Sequence, residues 1–476
     1  MFAKMTTNAN SGSEVALFIH QMIPHHQNAV NMAKSLLKLW DEKCPDIRLQ
    51  DTDDCVMEGM LRSIVNAQNG QIQIMRDLLK SNRWPLTDDC TVKMSSHEGG
   101  SMFGDDSYRR RALASPTPES ATSARDMEER RTNSDDGICR ASCSTNKNGK
   151  EICKFTAVLD LFATELGAFQ FKECGDAVYP TLGMEIGKTY VFVQEDRSNY
   201  YHPLGFAYYA DGAHDDKDEV EDVVVPPGSS SGCDADASCP SPKYYLDDEE
   251  IGLDEYEPKF FHSPSEWVDY GTFTAELTFD IDDYNKDLFY FCHIHQFMSG
   301  RIKLLKDDEP VQYNDSPALP YKHEGPSDYD QQCGSFGMSE FQLPHPECPS
   351  KFVCSAGSGS LGKFAECIET QNCFMMTGMT TYVDDKYDGD VALFNRHMIP
   401  HHQNAVNMAK SLLTFGGISC SNLSDDTDDC AMERIIREII NNQNFQIQLM
   451  RGMLENDGFP ETNDCKVLVS NSNLRG

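Results

Sequence analysis

At 476 residues the chain is long enough for several domains, since a domain takes roughly 100–200 residues. Its 41 Lys+Arg against 76 Asp+Glu give a net charge of −35, which argues against a nucleic-acid or anionic-membrane partner, since binding a polyanion needs clustered Lys and Arg. Hydrophobic residues make up 39%, and no window approaches the roughly 18 apolar residues of a membrane span.

The first predicted element is one half of an internal repeat. Residues 22–37 read MIPHHQNAVNMAKSLL, and residues 398–413 read the same. Asp51-Thr52-Asp53-Asp54-Cys55 returns at Asp426 to Cys430, and the Gln68 to Arg76 stretch returns at Gln443 to Arg451. Each copy reads as a helical hairpin, 13–40 with 55–82 and 389–415 with 430–456, with an Asp/Thr-rich segment where the second helix starts. Neither hairpin can bury its stripe alone, so the two are expected to pack on each other. The copies occupy 1–92 and 374–476.

Between them, residues 93–137 are Ser, Gly, Arg and acid, which suits a solvated linker. Residues 138–306 change to short β-type runs: Thr189 to Val193, Phe273 to Phe279 and Leu288 to Phe291. An acidic insertion, 211–257, interrupts them and reads as a surface excursion. Residues 307–373 are a Cys- and Pro-rich connecting segment.

The chain holds 18 cysteines, many of them in loop-like contexts. Disulfides in an oxidising compartment are the expectation, and the sequons at Asn314 and Asn422 agree with it. The opening MFAKMTTNANSGS has no apolar stretch of a signal peptide. Either that signal is missing from this sequence or export takes another route.

The β region ends in Cys292-His293-Ile294-His295-Gln296-Phe297-Met298, straight after an apolar strand. Upstream stands Tyr200-Tyr201-His202-Pro203. One short loop can bring Cys292, His295 and Met298 to a single metal, with His202 arriving from another strand. Thiolate, two imidazoles and a weak thioether are the ligand set of a type 1 copper centre. This stretch resembles the cupredoxin family, and its Cys-x2-His-x2-Met loop is similar to the short ligand loop of amicyanin-type members. The resemblance implies a Greek-key β-sandwich carrying one copper. His293 departs toward the Cys-His-Ile of multicopper oxidases, but their second cluster needs further His-x-His pairs, and this chain has one, 293–295. His293 therefore reads as a residue behind the ligands or facing solvent.

In the helical copies, at about 100° per residue, Met22, His25, His26 and Met32 share one face, and Gln68, Gln71 and Met75 fall in an arc of the second helix. Met398, His401, His402, Met408, Gln443, Gln446 and Met450 repeat the arrangement. Glutamines inside an apolar stripe cost roughly 1–3 kcal/mol each unless paired, so a site or a polar network is expected there. Imidazole with thioether would select Cu(I), while a methionine stripe also suits plain packing. The phrase Met-Ile-Pro-His-His-Gln-Asn-Ala-Val-Asn-Met-Ala resembles a ferritin-like family of formerly unknown function with copper-linked, exported bacterial members. In that family two such hairpins form one four-helix bundle; here a β domain is inserted between them.

The combined expectation is a multidomain α + β chain: a split ferritin-like four-helix bundle with a cupredoxin set into its connection. It would be an exported copper-binding protein for electron transfer or copper delivery, with copper ions, a redox protein and further copies of itself as possible partners. A copper-dependent oxidoreductase, or an extracellular assembly protein with incidental copper, are the alternatives. Cys44–Cys55 and Cys420–Cys430 are expected as loop bridges. The repeat further predicts a Cys373–Cys465 bridge, a Cys90 without its repeat-equivalent partner, and a natural chain extending upstream of Met1.

Overall fold

The computed structural model describes residues 4–39, 44, 52–90, 136–145, 149, 151–215, 220, 241–281, 284, 286–311, 319–338, 341, 343, 348, 351–355, 357–381 and 389–462. The chain is mixed α + β and divides into two units: 1–104, 329–419 and 431–476 form the first, 105–328 and 420–430 the second. Among the described residues no helix is long and apolar enough to cross a membrane.

Among the described residues the first unit is built on five long helices: α1 (Glu14–Leu39), α2 (Asp53–Ser81), α3 (Ser360–Gly378), α4 (Asp390–Phe415) and α5 (Asp428–Asn456). Thr52 caps α2 by accepting the Cys55 N–H at 3.3 Å, and the Cys44–Cys55 disulfide ties that start to the preceding loop. Ala29, Ala33 and Leu36 of α1, Met57, Leu61 and Ile64 of α2, Ala392 and Met398 of α4, and Ile447 and Met450 of α5 share one apolar core. The two hairpins therefore pack on each other, as their unburied stripes require.

The connecting segment 307–373 is not all connection, because α3 runs from 360 across the expected boundary at 374. Its pattern is hard to read because its buried side includes Thr370, Gln371 and Asn372 beside Phe364, Ile368 and Met375. Their amide nitrogens are paired. Gln371 donates to the Ser411 hydroxyl at 2.7 Å. Asn404 Nδ2 donates to Asn372 Oδ1 (3.1 Å), Asn372 Nδ2 to Gln21 Oε1 (3.0 Å), and Gln21 Nε2 to the Thr7 hydroxyl (2.8 Å). The position of Cys373 inside α3 also overturns the expected link to Cys465. Cys373 pairs with Cys348, Cys333 with Cys367, and Cys90 with Cys354; Cys465 lies outside the described residues. Cys90 does lack a repeat-equivalent partner, but the 352–355 segment running beside Thr7 supplies another one.

Among the described residues the second unit holds thirteen strands: β1 (Cys139–Arg140), β2 (Ser142–Thr145), β3 (Glu151–Asp160), β4 (Ala168–Phe171), β5 (Leu182–Glu185), β6 (Thr189–Gln194), β7 (Leu204–Ala207), β8 (Lys243–Leu246), β9 (Glu249–Glu250), β10 (Phe273–Thr278), β11 (Leu288–Cys292), β12 (Ser299–Lys306) and β13 (Glu309–Pro310). One mixed sheet runs β1-β5-β12-β11-β7, with β13 on β12; the other runs β2-β3-β6-β10-β8-β9, with β4 on β3. Aromatic rings join them: Phe192 of β6 meets Phe206 of β7 at 4.7 Å, and Phe171 of β4 meets Tyr290 of β11 edge-on at 5.2 Å. The expected surface excursion 211–257 is partly wrong. β8 pairs with β10 inside the second sheet, and Tyr244 and Tyr256 are buried. The short Lys243-Tyr244-Tyr245-Leu246 alternation is masked by the acids on either side of it. Cys139–Cys174, Cys143–Cys153 and Cys420–Cys430 bridge this unit.

The paired amides of the first unit generate one prediction. Asn372→Ala strands Gln21 Oε1 in a buried setting and leaves Asn404 Nδ2 with only the Met408 sulfur, so it should destabilise the chain by roughly 1–3 kcal/mol. Urea unfolding of the full chain, followed by helical circular dichroism, measures it.

Candidate metal centre

Strand register places the thiol. Cys292 is the last residue of β11 and lies directly across from Leu204 of β7, two positions beyond His202. The Cys292 N–H donates to the Met298 carbonyl at 3.1 Å, which folds the connection from β11 to β12 back over the strand end. His295 is thereby brought over the sulfur, and its own N–H points at Cys292 Sγ (3.4 Å). The Nδ1 atoms of His202 and His295 each stand 3.7 Å from Sγ, and the three ligand atoms lie within 4.8 Å of one another. The two imidazoles are stacked, with centroids 4.6 Å apart.

A metal about 2.0 Å from each imidazole nitrogen and about 2.2 Å from a thiolate, in a trigonal plane, needs nitrogen–sulfur separations of about 3.6 Å. The observed separations match that need without rearrangement. His202, Cys292 and His295 are all wholly buried. Burial pushes the Cys292 thiol up to about 12, against the opposing pull of the His295 and Ile294 amides. The free thiol therefore keeps its proton, and a metal would have to displace it.

Residues that the sequence does not single out hold the ligands in place. Gln194, at the end of β6 and wholly buried, uses both ends of its amide. Its Nε2 donates to the His202 carbonyl (2.7 Å) and to Asn199 Oδ1 (3.2 Å), while its Oε1 accepts from the Leu204 N–H (3.0 Å) and the Tyr256 hydroxyl (2.9 Å). Asn199 in turn donates to the Ala157 carbonyl (2.9 Å). His214 Nε2 donates to the Cys292 carbonyl at 2.8 Å, and the buried Asp211 carboxylate accepts the Phe297 N–H. Two aromatic residues beside the ligands, Tyr201 and Phe297, occupy the left-handed region with φ of 70° and 61°. The Tyr201 ring lies 6.0 Å from that of His295 and 5.2 Å from Phe261. A glutamine closing a strand or a lone aspartate gives no sequence signal of such a role.

His293 stays outside the cluster. Its N–H donates to the Pro203 carbonyl (3.0 Å), and its ring lies against Gly205, where a Cβ would fall 2.0 Å from Nε2. It is packed there, not turned to solvent. Met298 is wholly buried in the ligand loop.

The helical candidates form a different arrangement. His25, His26, His401 and His402 are all wholly buried, and the His25 and His401 rings lie 3.6 Å apart. His26 Nε2 bonds Gln71 Oε1 (2.8 Å), Gln71 Nε2 donates to Glu438 (3.2 Å), and Gln68 Nε2 approaches His402 Nε2 at 3.2 Å. No aligned hydrogen bond reaches either ring nitrogen of His25 or His401; each ring only leans on the backbone of the other histidine. Burial lowers all four, His26 to about 4 and His402 to about 3, so the rings are neutral. Met22, Met75, Met398, Met408 and Met450 are wholly buried. Met398 and Met450 belong to the apolar core. The sulfurs of Met32 and Met408 take amide hydrogens from Asn28 (3.2 Å) and Asn404 (3.3 Å). Among the described residues no second group of three His, Cys, Asp or Glu ligand atoms lies as close as that around Cys292.

Comparison with known proteins places part of this chain. A family model described as Domain of unknown function (DUF305) matches residues 3–79, the stretch that holds α1 and most of α2. No curated protein and no solved structure matches the chain.

The support around His202 generates the second prediction. Gln194→Ala should leave all three ligands in place yet lower metal affinity by roughly 10–100-fold, because it frees the His202 loop. Competitive copper titration of the full chain, with far-ultraviolet circular dichroism as the check on fold, tests it.

Proposed function

We propose that the chain is an exported copper-binding protein whose His202, Cys292 and His295, with Met298 as a weak fourth ligand, hold one type 1 copper. The observation that carries this reading is the pair of 3.7 Å separations between Cys292 Sγ and the two imidazole Nδ1 atoms, in a wholly buried pocket. A soft thiolate among two imidazoles suits copper. Seven disulfides among the described residues suit an oxidising compartment. Bound copper would supply a one-electron Cu(II)/Cu(I) couple. The residues contribute rigidity: Gln194 fixes the His202 loop, the Met298 carbonyl fixes Cys292, and Asp211 fixes the turn at Phe297.

Complete burial of both imidazoles and the thiol favours electron transfer over delivery, because a cargo site must open to release its ion. It also disfavours an oxidoreductase, which needs a coordination position within reach of a substrate. Phe261, packed on Tyr201, and Phe297, in the ligand loop, are 45% and 52% exposed, and they fit a redox protein as partner. The resemblance to cupredoxins supplies the sandwich reading of the two sheets. The resemblance of the hairpins supplies the ferritin-like reading of α1, α2, α4 and α5.

The reading extends to the helices as a separate Cu(I) site formed by His25, His26, His401 and His402, with Met22, Met32 and Met75 and their repeat-mates Met398, Met408 and Met450 as candidate thioether ligands. The unpaired ring nitrogens of His25 and His401 support it.

Copper-loaded protein should show an intense thiolate charge-transfer band that Cys292→Ser abolishes, since only a thiolate gives that covalency. Met298→Leu should keep the band and raise the reduction potential. A Ser variant that stays coloured sinks the centre. Separately, replacing His25, His26, His401 and His402 together by Ala should lower Cu(I) stoichiometry and leave the band untouched. Unchanged stoichiometry would return those histidines to packing.

A further inference from the structure

The loop that joins α4 to α5 carries Asn422-Leu423-Ser424, an Asn-x-Ser sequon, and residues 420–430 fold with the second unit. The Cys420–Cys430 disulfide closes this loop. Leu423 is buried in a cluster with the two cysteines, against which Val268 of the short helix Pro264–Asp269 packs. Arg197 donates to the Cys420 carbonyl at 2.8 Å. With Leu423 turned inward, its neighbour Asn422 is left exposed. The corresponding stretch of the first copy, 40–52, contains no asparagine, so the feature belongs to the second hairpin alone.

The two polar residues of the sequon stand differently. Asn422 Oδ1 accepts the Ser424 N–H at 3.2 Å, and the Asn422 carbonyl accepts the Asp425 N–H at 2.9 Å, which makes the tripeptide a closed turn. Asn422 Nδ2, the atom to which a glycan would be joined, makes no hydrogen bond among the described residues. The Ser424 hydroxyl, by contrast, donates to the Asp269 carboxylate, and the Ser265 carbonyl stands 3.4 Å from it. Only the two hydroxyl-bearing residues are accepted at that position of a sequon, so the hydroxyl is what a transferring enzyme has to read. In the folded loop it is already taken.

We propose that Asn422 is an N-glycosylation site, loaded on the extended chain before the 420–430 loop closes onto the second unit. The donor class is an oligosaccharide carried on a polyprenyl diphosphate. The bond from the sugar's anomeric carbon to the diphosphate oxygen breaks, and a bond from that carbon to Asn422 Nδ2 forms. Nδ2 gives up one proton, and the lipid diphosphate leaves. The product suits the folded loop, because the Oδ1 bond to Ser424 survives and the substituted nitrogen forfeits no partner. The inference rests on the exported reading and is independent of copper.

The full chain, with Asn314→Gln to silence the other sequon, is secreted from a eukaryotic host behind an added signal peptide and treated with an N-glycan amidase in heavy-oxygen water. Peptide mass spectrometry should find Asn422 converted to a labelled aspartate, with a matching loss of mass from the whole chain. Asn422→Gln and Ser424→Ala should each abolish that loss, and Ser424→Thr should keep it. The order of events is read on unglycosylated full chain offered to microsomal transferase with a lipid-linked oligosaccharide: Asn422 should be modified after reduction and unfolding but not in the native chain. Equal modification of the native chain overturns the ordering. The protein from its own cells is mapped in the same way, and a bare Asn422 there overturns the proposal. The secreted chain then tells why, since a glycan on it faults the exported reading, while none on it faults the acceptor.

Discussion

A polar side chain withdrawn from water must find a partner inside the protein, and this constraint organises both units. Leaving one buried amide unpaired costs roughly 1–3 kcal/mol, a sizeable share of a domain's net stability. Gln194 meets the constraint with four hydrogen bonds, and in doing so fixes the loop that carries His202. The run Asn404–Asn372–Gln21–Thr7 meets it in the first unit and thereby locks α3 between α4 and α1. Against that background the unpaired ring nitrogens of His25 and His401 stand out. Two neutral imidazoles tilted at 37° to each other with centroids 3.6 Å apart satisfy packing but not hydrogen bonding.

Part of the backbone strain falls beside the thiol. Tyr201 and Phe297 are bulky residues in the left-handed region, each costing on the order of 1–3 kcal/mol. One precedes His202 and the other lies between His295 and Met298. Asp211 holds the second through its amide, and Phe261 packs on the first. The strain is borne by the surrounding packing, and in return the ligand loops adopt turns too tight for relaxed chain. The geometry of the His202, Cys292 and His295 cluster is thus fixed by the second unit as a whole, not by the Cys-x2-His-x2-Met spacing alone.

The sequence discloses those parts of the molecule whose chemistry is concentrated in few letters. The repeated MIPHHQNAVNMAKSLL and its apolar period mark α1 and α4, and the apolar stretch before Cys292 marks β11. Cys-x2-His and a distant histidine mark the cluster because soft and imidazole donors rarely meet otherwise. α3 is hidden because its inward side mixes Gln371 and Asn372 with apolar residues and so blurs the stripe. β8 is hidden because four residues between acidic runs are too few for a period. Gln194, Asp211 and His214 are invisible for a different reason. Their role depends on a strand end, a turn and a carbonyl brought close only by the fold, and no local pattern encodes that. The bridge partner of Cys373 fails likewise: repeat logic assumes equivalent surroundings, and a cysteine inside α3 has none in the first copy.

The Cys90–Cys354 bridge spans 264 positions of sequence and closes a covalent ring that contains nearly all of the second unit's chain, including the run Arg109-Arg110-Arg111. A protease that cuts within this ring therefore opens a loop without releasing a fragment. The nicked product would migrate as a single species until reduced, and the β unit would stay tethered to the helices by sulfur where it had lost its peptide bond. Maturation of this chain by cleavage, should it occur in an oxidising compartment, would change its connectivity without changing its mass by more than a water molecule.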